Sequence, residues 1–214
     1  GFYYYNGANM LLSGNLIPAS GLQGAFRPLF PALLSSLLLL SGQNLIVALQ
    51  LMVLATGSSL YLAALAVRRS FGAIPAAVFY TLVFAFIRPM LGDTLTELPG
   101  LAFACLALVL LLEAGRTKRN WAAALGGIML VLALSIRAGA FFMLPVLILW
   151  WGWLNRGEKW RAWKKMILLG LILVAAFVLF NSLIPHMLVA AGESTFGNFS
   201  WMLYGQAVDR KSVV

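Results

Sequence analysis

Two acidic residues, Asp93 and Glu97, stand between long apolar segments in the stretch RPMLGDTLTELPG at positions 88–100. An ionised side chain near a lipid bilayer costs free energy unless it pairs with a partner or faces water, so it usually serves a function. Carboxylates can bind a divalent cation or accept a proton from a hydroxyl group. Both residues are therefore candidate catalytic groups.

Helix capping is a simpler interpretation of the same stretch. Asp93 and Thr94 are residue types that accept backbone hydrogen bonds at the start of a helix. Glu97 would then lie in the first turn, where its charge is favourable against the helix dipole. The capping and catalytic interpretations can both hold.

Three arginines and several tyrosines complete the set of chemically useful side chains. Arg27, Arg88 and Arg137 each adjoin or interrupt uncharged sequence, and Tyr4 and Tyr204 lie in the segments outside the apolar core of the chain. An arginine can hold two phosphate oxygens at once, so this set suits an anionic, phosphate-bearing lipid substrate. Each arginine could instead only anchor a span end at the membrane interface by snorkelling.

The composition places these residues in a membrane protein. Of 214 residues, 62% are hydrophobic and only 10% are charged, whereas soluble domains carry about 25% charged residues. The net charge of +9 is concentrated in short loops between apolar runs, which excludes a nucleic-acid-binding face. We expect an all-α, polytopic transmembrane protein in the cell (inner) membrane.

The apolar runs predict about six spans in one domain. Residues 1–43 form an external loop with interfacial helices, among them a 12-residue run at 29–40 that is too short to cross and would be re-entrant or interfacial. Residues 44–184 hold the spans, and residues 185–208 form another external loop. The last six residues, DRKSVV at 209–214, match the in-frame translation of a sequencing adapter and are expected to be a non-native tail.

Three basic loops, at 68–72, 115–120 and 155–165, set the topology because Lys and Arg accumulate on the cytoplasmic side. Two crossings must then separate each loop from the next, so residues 121–154 must form two short helices that turn near Arg137. The N-terminal segment, the acidic stretch, Arg137 and residues 185–208 all meet at the outer face.

Five short motifs resemble the integral-membrane GT-C glycosyltransferases, in the branch of the protein O-mannosyltransferases and the aminoarabinose transferases of lipid A. The motifs, in chain order, are YYNGANMLLSG at 4–14, FRPLFP at 26–31, LGDTLTE at 91–97, SIRAG at 135–139 and LYG at 203–205. The second motif lacks the second of two consecutive prolines found in the family. Their order along the chain carries more weight than any single motif.

The resemblance implies transfer of a sugar from a polyprenyl-phosphate donor to a lipid, glycan or protein acceptor at the extracytoplasmic face. It implies that Arg27 and Arg137 hold the lipid phosphate, and that Asp93 places the donor or a divalent cation, Mg²⁺ or Mn²⁺, with Glu97 sharing or supporting that role. The main catalytic Asp of the family would fall just before Gly1. The sequence by itself is therefore expected to be an inactive fragment.

Two other functional classes remain open. A transporter or lipid flippase would also carry charges in a membrane domain, but it favours charges near mid-span and often has inverted repeats. Here the charges cluster near span ends and no repeat is visible. A structural subunit of a larger membrane assembly would use the acidic stretch only for docking.

Overall fold

The computed structural model describes residues 2–18, 27–137, 141–158 and 160–190, and these residues form a helical bundle. The helices are α1 Phe2–Leu12, α2 Leu29–Leu40, α3 Leu45–Phe71, α4 Ala73–Ile87, α5 Glu97–Thr117, α6 Asn120–Arg137, α7 Met143–Leu154, α8 Trp160–Val178 and α9 Ile184–Leu188. Short 3₁₀ turns follow α4 at Arg88–Met90 and α7 at Arg156–Glu158, and a π turn at Leu179–Leu183 joins α8 to α9. The predicted all-α class is confirmed for these residues.

Among the described residues, five helical segments are long and apolar enough to cross a membrane. They are Leu45–Phe71, Ala73–Met90, Glu97–Thr117, Asn120–Arg137 and Trp160–Leu188. The sixth predicted span corresponds to α7, whose 12 residues fall short of the about 20 needed to cross. The predicted short helix at 29–40 is present as α2, and its placement at the interface or as a re-entrant helix stays a prediction.

Local sequence explains where the first spans begin and end. The Asn44 side chain accepts hydrogen bonds from the backbone N–H groups of Ile46 and Val47 at 3.0 and 3.3 Å, which caps the start of α3. Gly72 separates α3 from α4 with a φ of 98°, a conformation that residues with a side chain rarely adopt. The two helices can therefore turn sharply at a single residue.

The third basic segment is partly helical, contrary to the prediction of a loop at 155–165. Helix α8 begins at Trp160, so the sequence WRAWKK forms its first turns. Arg, Ala and Lys are good helix formers, which explains why the helix extends into the basic segment. The basic side chains thus project from an ordered helix end.

Small residues allow α6 to pack closely against α5 and α8. A Cβ atom at Gly126 would lie 3.0 Å from Cγ of Leu111 and 3.1 Å from Cβ of Leu110 in α5. Gly127 faces Leu173 of α8 in the same way. The absence of side chains at both positions places α6 in the middle of the bundle.

The two ends of the bundle differ in charge. At one end, the Lys118 ammonium donates to the carbonyl of Leu154 at 3.2 Å, which connects the second basic segment to the end of α7, just before the third. We call this the basic end. At the other end, the backbone N–H of Ile17 donates to the carbonyl of Leu188 at 2.9 Å, and that of Ala190 to the carbonyl of Ile17 at 3.0 Å. The predicted meeting of the N-terminal segment with the chain after the last span is confirmed by these bonds.

Candidate functional site

Arg27, Thr96 and Glu97 form a hydrogen-bonded chain at the end opposite the basic end. Nη1 of Arg27 donates to Oγ1 of Thr96 at 3.1 Å, and this hydroxyl donates to Oε2 of Glu97 at 3.4 Å. Thr96 is 2% exposed, whereas the other two side chains are partly buried. A cation and a carboxylate are thus linked through a buried hydroxyl at the start of α5.

Tyr4 adds a phenol to this group of residues. Its ring packs edge-to-face on Phe30 with the ring centroids 4.9 Å apart, and its phenol lies close enough to feel the charges of Arg27 and Glu97. Burial raises the pKa of the Tyr4 phenol above 10.0, the nearby Arg27 charge opposes this shift and the Glu97 carboxylate adds to it. Tyr4 is therefore a neutral hydrogen-bonding group at physiological pH. We call Tyr4, Arg27, Thr96 and Glu97 the Arg27 cluster.

One nitrogen of Arg27 is buried and lacks a partner among the described residues. This atom is Nε, while Nη1 is occupied by Thr96. A buried polar group without a partner costs about 1–3 kcal/mol, and more when the group is charged. The Arg27 guanidinium therefore has an N–H donor without an acceptor among these residues. An oxygen atom of a bound anion would accept this hydrogen bond.

The start of α5 differs from the capping interpretation. The helix begins at Glu97 and its N-cap is Thr96, which makes no side-chain capping bond, so the predicted cap at Asp93 or Thr94 is wrong. The prediction that Glu97 lies in the first turn is confirmed. The Thr96 hydroxyl is engaged with Arg27 and Glu97, which explains why it does not cap the backbone.

Asp93 lies outside the Arg27 cluster, in the turn between α4 and α5. Its side chain is exposed, and its backbone N–H donates to the carbonyl of Met90 at 3.3 Å. The preceding Gly92 has a φ of 91°, which suits the tight turn. The carboxylate of Asp93 is thus available to solvent or to a ligand near Glu97.

Arg137 lies beside the first turns of α5. The space that a Cβ would occupy at Gly100 is 3.4 Å from Cβ of Arg137, and the exposed guanidinium stands 5.8 Å from the ring centroid of Phe86. Arg88 is exposed in the 3₁₀ turn after α4. Tyr204, the remaining candidate, lies outside the described residues. The structure therefore brings Arg137 to the same end of the bundle as the Arg27 cluster.

Sequence reasoning missed Thr96 and the polar pair Ser135 and Asn181. Asn181 lies in the π turn within the last span, and its Nδ2 donates to Oγ of Ser135 at 2.8 Å and to the carbonyl of Phe177 at 3.1 Å. An asparagine inside an apolar span was the available signal for this pair. Thr96 gave no such signal, because a Thr next to a helix start is common.

Asp93 and Glu97 are the acidic residues near the Arg27 cluster that could contact a metal ion. Within the described ranges, no group of three or more His, Cys, Asp and Glu side chains could hold an ion. Oε2 of Glu97 already accepts a bond from Thr96, and Asp93 lies in the turn before it. The predicted Mg²⁺ or Mn²⁺ ion at Asp93 stays a prediction.

Comparisons with known proteins do not identify a family. No family profile, curated protein or solved structure matches the chain. The resemblance to GT-C enzymes thus rests on the five motifs alone.

Proposed function

We propose that this chain belongs to a membrane glycosyltransferase that transfers a sugar from a polyprenyl-phosphate donor to an acceptor at the extracytoplasmic face. The observation that carries the proposal is the Arg27 guanidinium, whose buried Nε has no partner among the described residues. A phosphate oxygen would supply that partner through a charge-assisted hydrogen bond.

The cluster suits the charge changes of such a transfer. An acceptor hydroxyl attacks the anomeric carbon of the sugar, the bond from that carbon to the phosphate oxygen breaks, and the lipid phosphate leaves with an additional negative charge. Arg27 stabilises that charge, and the neutral Tyr4 phenol donates a further hydrogen bond to the phosphate. Arg137, at the same end, supplies a second cation.

A carboxylate must receive the proton lost by the acceptor hydroxyl. Glu97 is positioned for this role because Thr96 holds one of its oxygens and leaves the other available. Asp93, exposed in the preceding turn, is placed to contact the donor or the acceptor.

The test is sugar transfer by the full-length protein in liposomes that contain radiolabelled polyprenyl-phosphate sugars. Arg27→Gln should lower release of the lipid phosphate about 100-fold, the usual effect of removing one stabilising donor from an active site. Arg69→Gln, at the exposed end of α3, is the matched control and should retain activity.

Equal transfer by the wild type and Arg27→Gln would contradict the proposal. Movement of the intact lipid-linked sugar across the bilayer without its hydrolysis or transfer would instead assign the alternative function, a lipid flippase.

A further inference from the structure

A second candidate site lies at the basic end, between the end of α7 and the start of α8. It is a cleft of about 490 Å³ lined by three tryptophans, Arg156, Gly152 and Met166, among others. The cleft is at the opposite end of the bundle from the Arg27 cluster, and its interpretation does not depend on the proposed function.

The tryptophans of the cleft are exposed although they are large and apolar. Trp153, Trp160 and Trp163 are 60%, 73% and 62% exposed, whereas Trp151, on the same helix as Trp153, is 1% exposed in the core. Exposed tryptophans at span ends are typical of the headgroup level of a bilayer, where the ring meets lipid carbon and its N–H meets polar groups. The cleft is therefore at the depth of the lipid headgroups.

The cleft contains the positive charge of Arg156 and lies within a basic segment of the chain. The guanidinium of Arg156 lies 5.1 Å from the ring centroid of Trp153 and is exposed at the cleft. The surrounding sequence RGEKWRAWKK contains five basic residues and one acidic residue. A basic pocket beside membrane spans is complementary to an anionic headgroup.

Close packing of α7 on α8 forms the floor of the cleft. A side chain at Gly152 would overlap Sδ of Met166, so only glycine fits without a shift of that side chain. The absence of a side chain at Gly152 therefore lets Met166 of α8 lie directly against α7 in the cleft.

We infer that this cleft binds an anionic glycerophospholipid. The phosphate contacts Arg156, the glycerol region and upper acyl carbons pack on the faces of Trp153 and Trp163, and the acyl chains continue into the bilayer. The apolar lining favours a lipid over a soluble anion. By the positive-inside rule, this lipid belongs to the cytoplasmic leaflet.

Tryptophan quenching by brominated lipids tests the inference, because three of the seven tryptophans line the cleft. The protein is reconstituted in phosphatidylcholine vesicles with increasing fractions of phosphatidylglycerol brominated near the headgroup, or of phosphatidylcholine brominated at the same carbons. Quenching should saturate at a lower fraction of brominated phosphatidylglycerol than of brominated phosphatidylcholine.

Arg156→Gln should weaken this preference about fivefold, the effect of one basic residue at an anionic surface. Arg69→Gln removes the same charge from the end of α3, away from the tryptophan cleft, and should leave the preference unchanged.

Three results would overturn the inference. The first is equal quenching by the two brominated lipids. The second is an equal loss of the preference for phosphatidylglycerol in Arg156→Gln and Arg69→Gln, which would indicate that the lipid responds to the charge of the whole surface. The third is relief of quenching by millimolar soluble glycerol phosphate, which would assign the cleft to a free anion.

Discussion

Arg27 and Thr96 are 69 positions apart in the sequence, and Nη1 of the first donates to Oγ1 of the second at 3.1 Å. The bond connects the segment before α2 to the start of α5. Because the same hydroxyl donates to Glu97, the three side chains hold one another in place. The position of the cation relative to the carboxylate therefore depends on one small residue.

Replacement of Thr96 by Val tests this dependence. The substitution keeps the shape of the buried side chain and removes its hydroxyl, which leaves Arg27 without its described acceptor. The free energy of unfolding should fall by about 1–3 kcal/mol, the cost of an unsatisfied buried group. The measurement is the apparent unfolding temperature in detergent, together with sugar transfer in liposomes, which should also fall.

Thr94→Val is the matched control for Thr96→Val. Thr94 lies two residues earlier, is partly buried, and precedes the start of α5. It should unfold and transfer sugar like the wild type. An equal effect of both substitutions would indicate that the loop tolerates no valine, and the hydroxyl link would lose its importance.

The two carboxylates should differ in importance. Glu97→Gln keeps the size of a side chain within the Arg27 cluster and removes its charge, so transfer should fall by about 100-fold, in the range known for acid–base groups. Asp93→Asn alters an exposed residue outside the cluster and should have a smaller effect. The measurement is the rate at which each full-length variant consumes the donor. A larger fall in Asp93→Asn than in Glu97→Gln would show that Asp93 is the more important carboxylate.

The pKa of Tyr4 predicts a loss of stability at high pH. Burial raises the pKa of this phenol above 10.0, so the folded state holds the proton more tightly than the unfolded state. Its contribution to stability is constant below pH 10.0 and is lost as the pH rises through the folded pKa. Unfolding temperatures measured between pH 8 and about 11 should decline less in Tyr4→Phe than in the wild type.

Tyr3→Phe is the control for Tyr4→Phe, since Tyr3 is the adjacent residue on α1 and is 43% exposed. It should show the same decline as the wild type. If Tyr4→Phe also follows the wild type, the alkaline loss of stability arises from other groups.

The sequence predicts the spans well because span formation depends on long apolar runs. Helix α4 has the predicted bounds, Ala73–Ile87, and α2 begins and ends at the predicted Leu29 and Leu40. Helix α7 is shorter than its apolar run because the helix begins only at Met143. Apolar composition sets where a helix can lie in a membrane, whereas its first turn depends on local backbone hydrogen bonds.

The Arg27 cluster could be predicted only in part. Charge and length placed Arg27 and Glu97 at one end of the bundle, but they gave no reason for a hydroxyl to join them. Threonine can bond to the backbone as a cap or to another side chain, and the choice depends on which partners the fold provides. Arg27 provides the stronger partner because its donor is charged.

Gly126 of α6 packs closely against α5, and this contact can be tested by substitution. A Cβ at Gly126 would lie 3.1 Å from Cβ of Leu110, an atom fixed close to the backbone of α5, so Gly126→Ala must separate the two helices slightly. Overpacking of this kind costs about 1–3 kcal/mol, against a gain of about 1 kcal/mol from the better helix propensity of alanine.

Gly57→Ala is the matched control, because no atom lies within 4 Å of the position of its Cβ in α3. Unfolding temperatures in detergent should fall for Gly126→Ala and stay level or rise for Gly57→Ala, and a rise in both would show that α5 and α6 separate without cost.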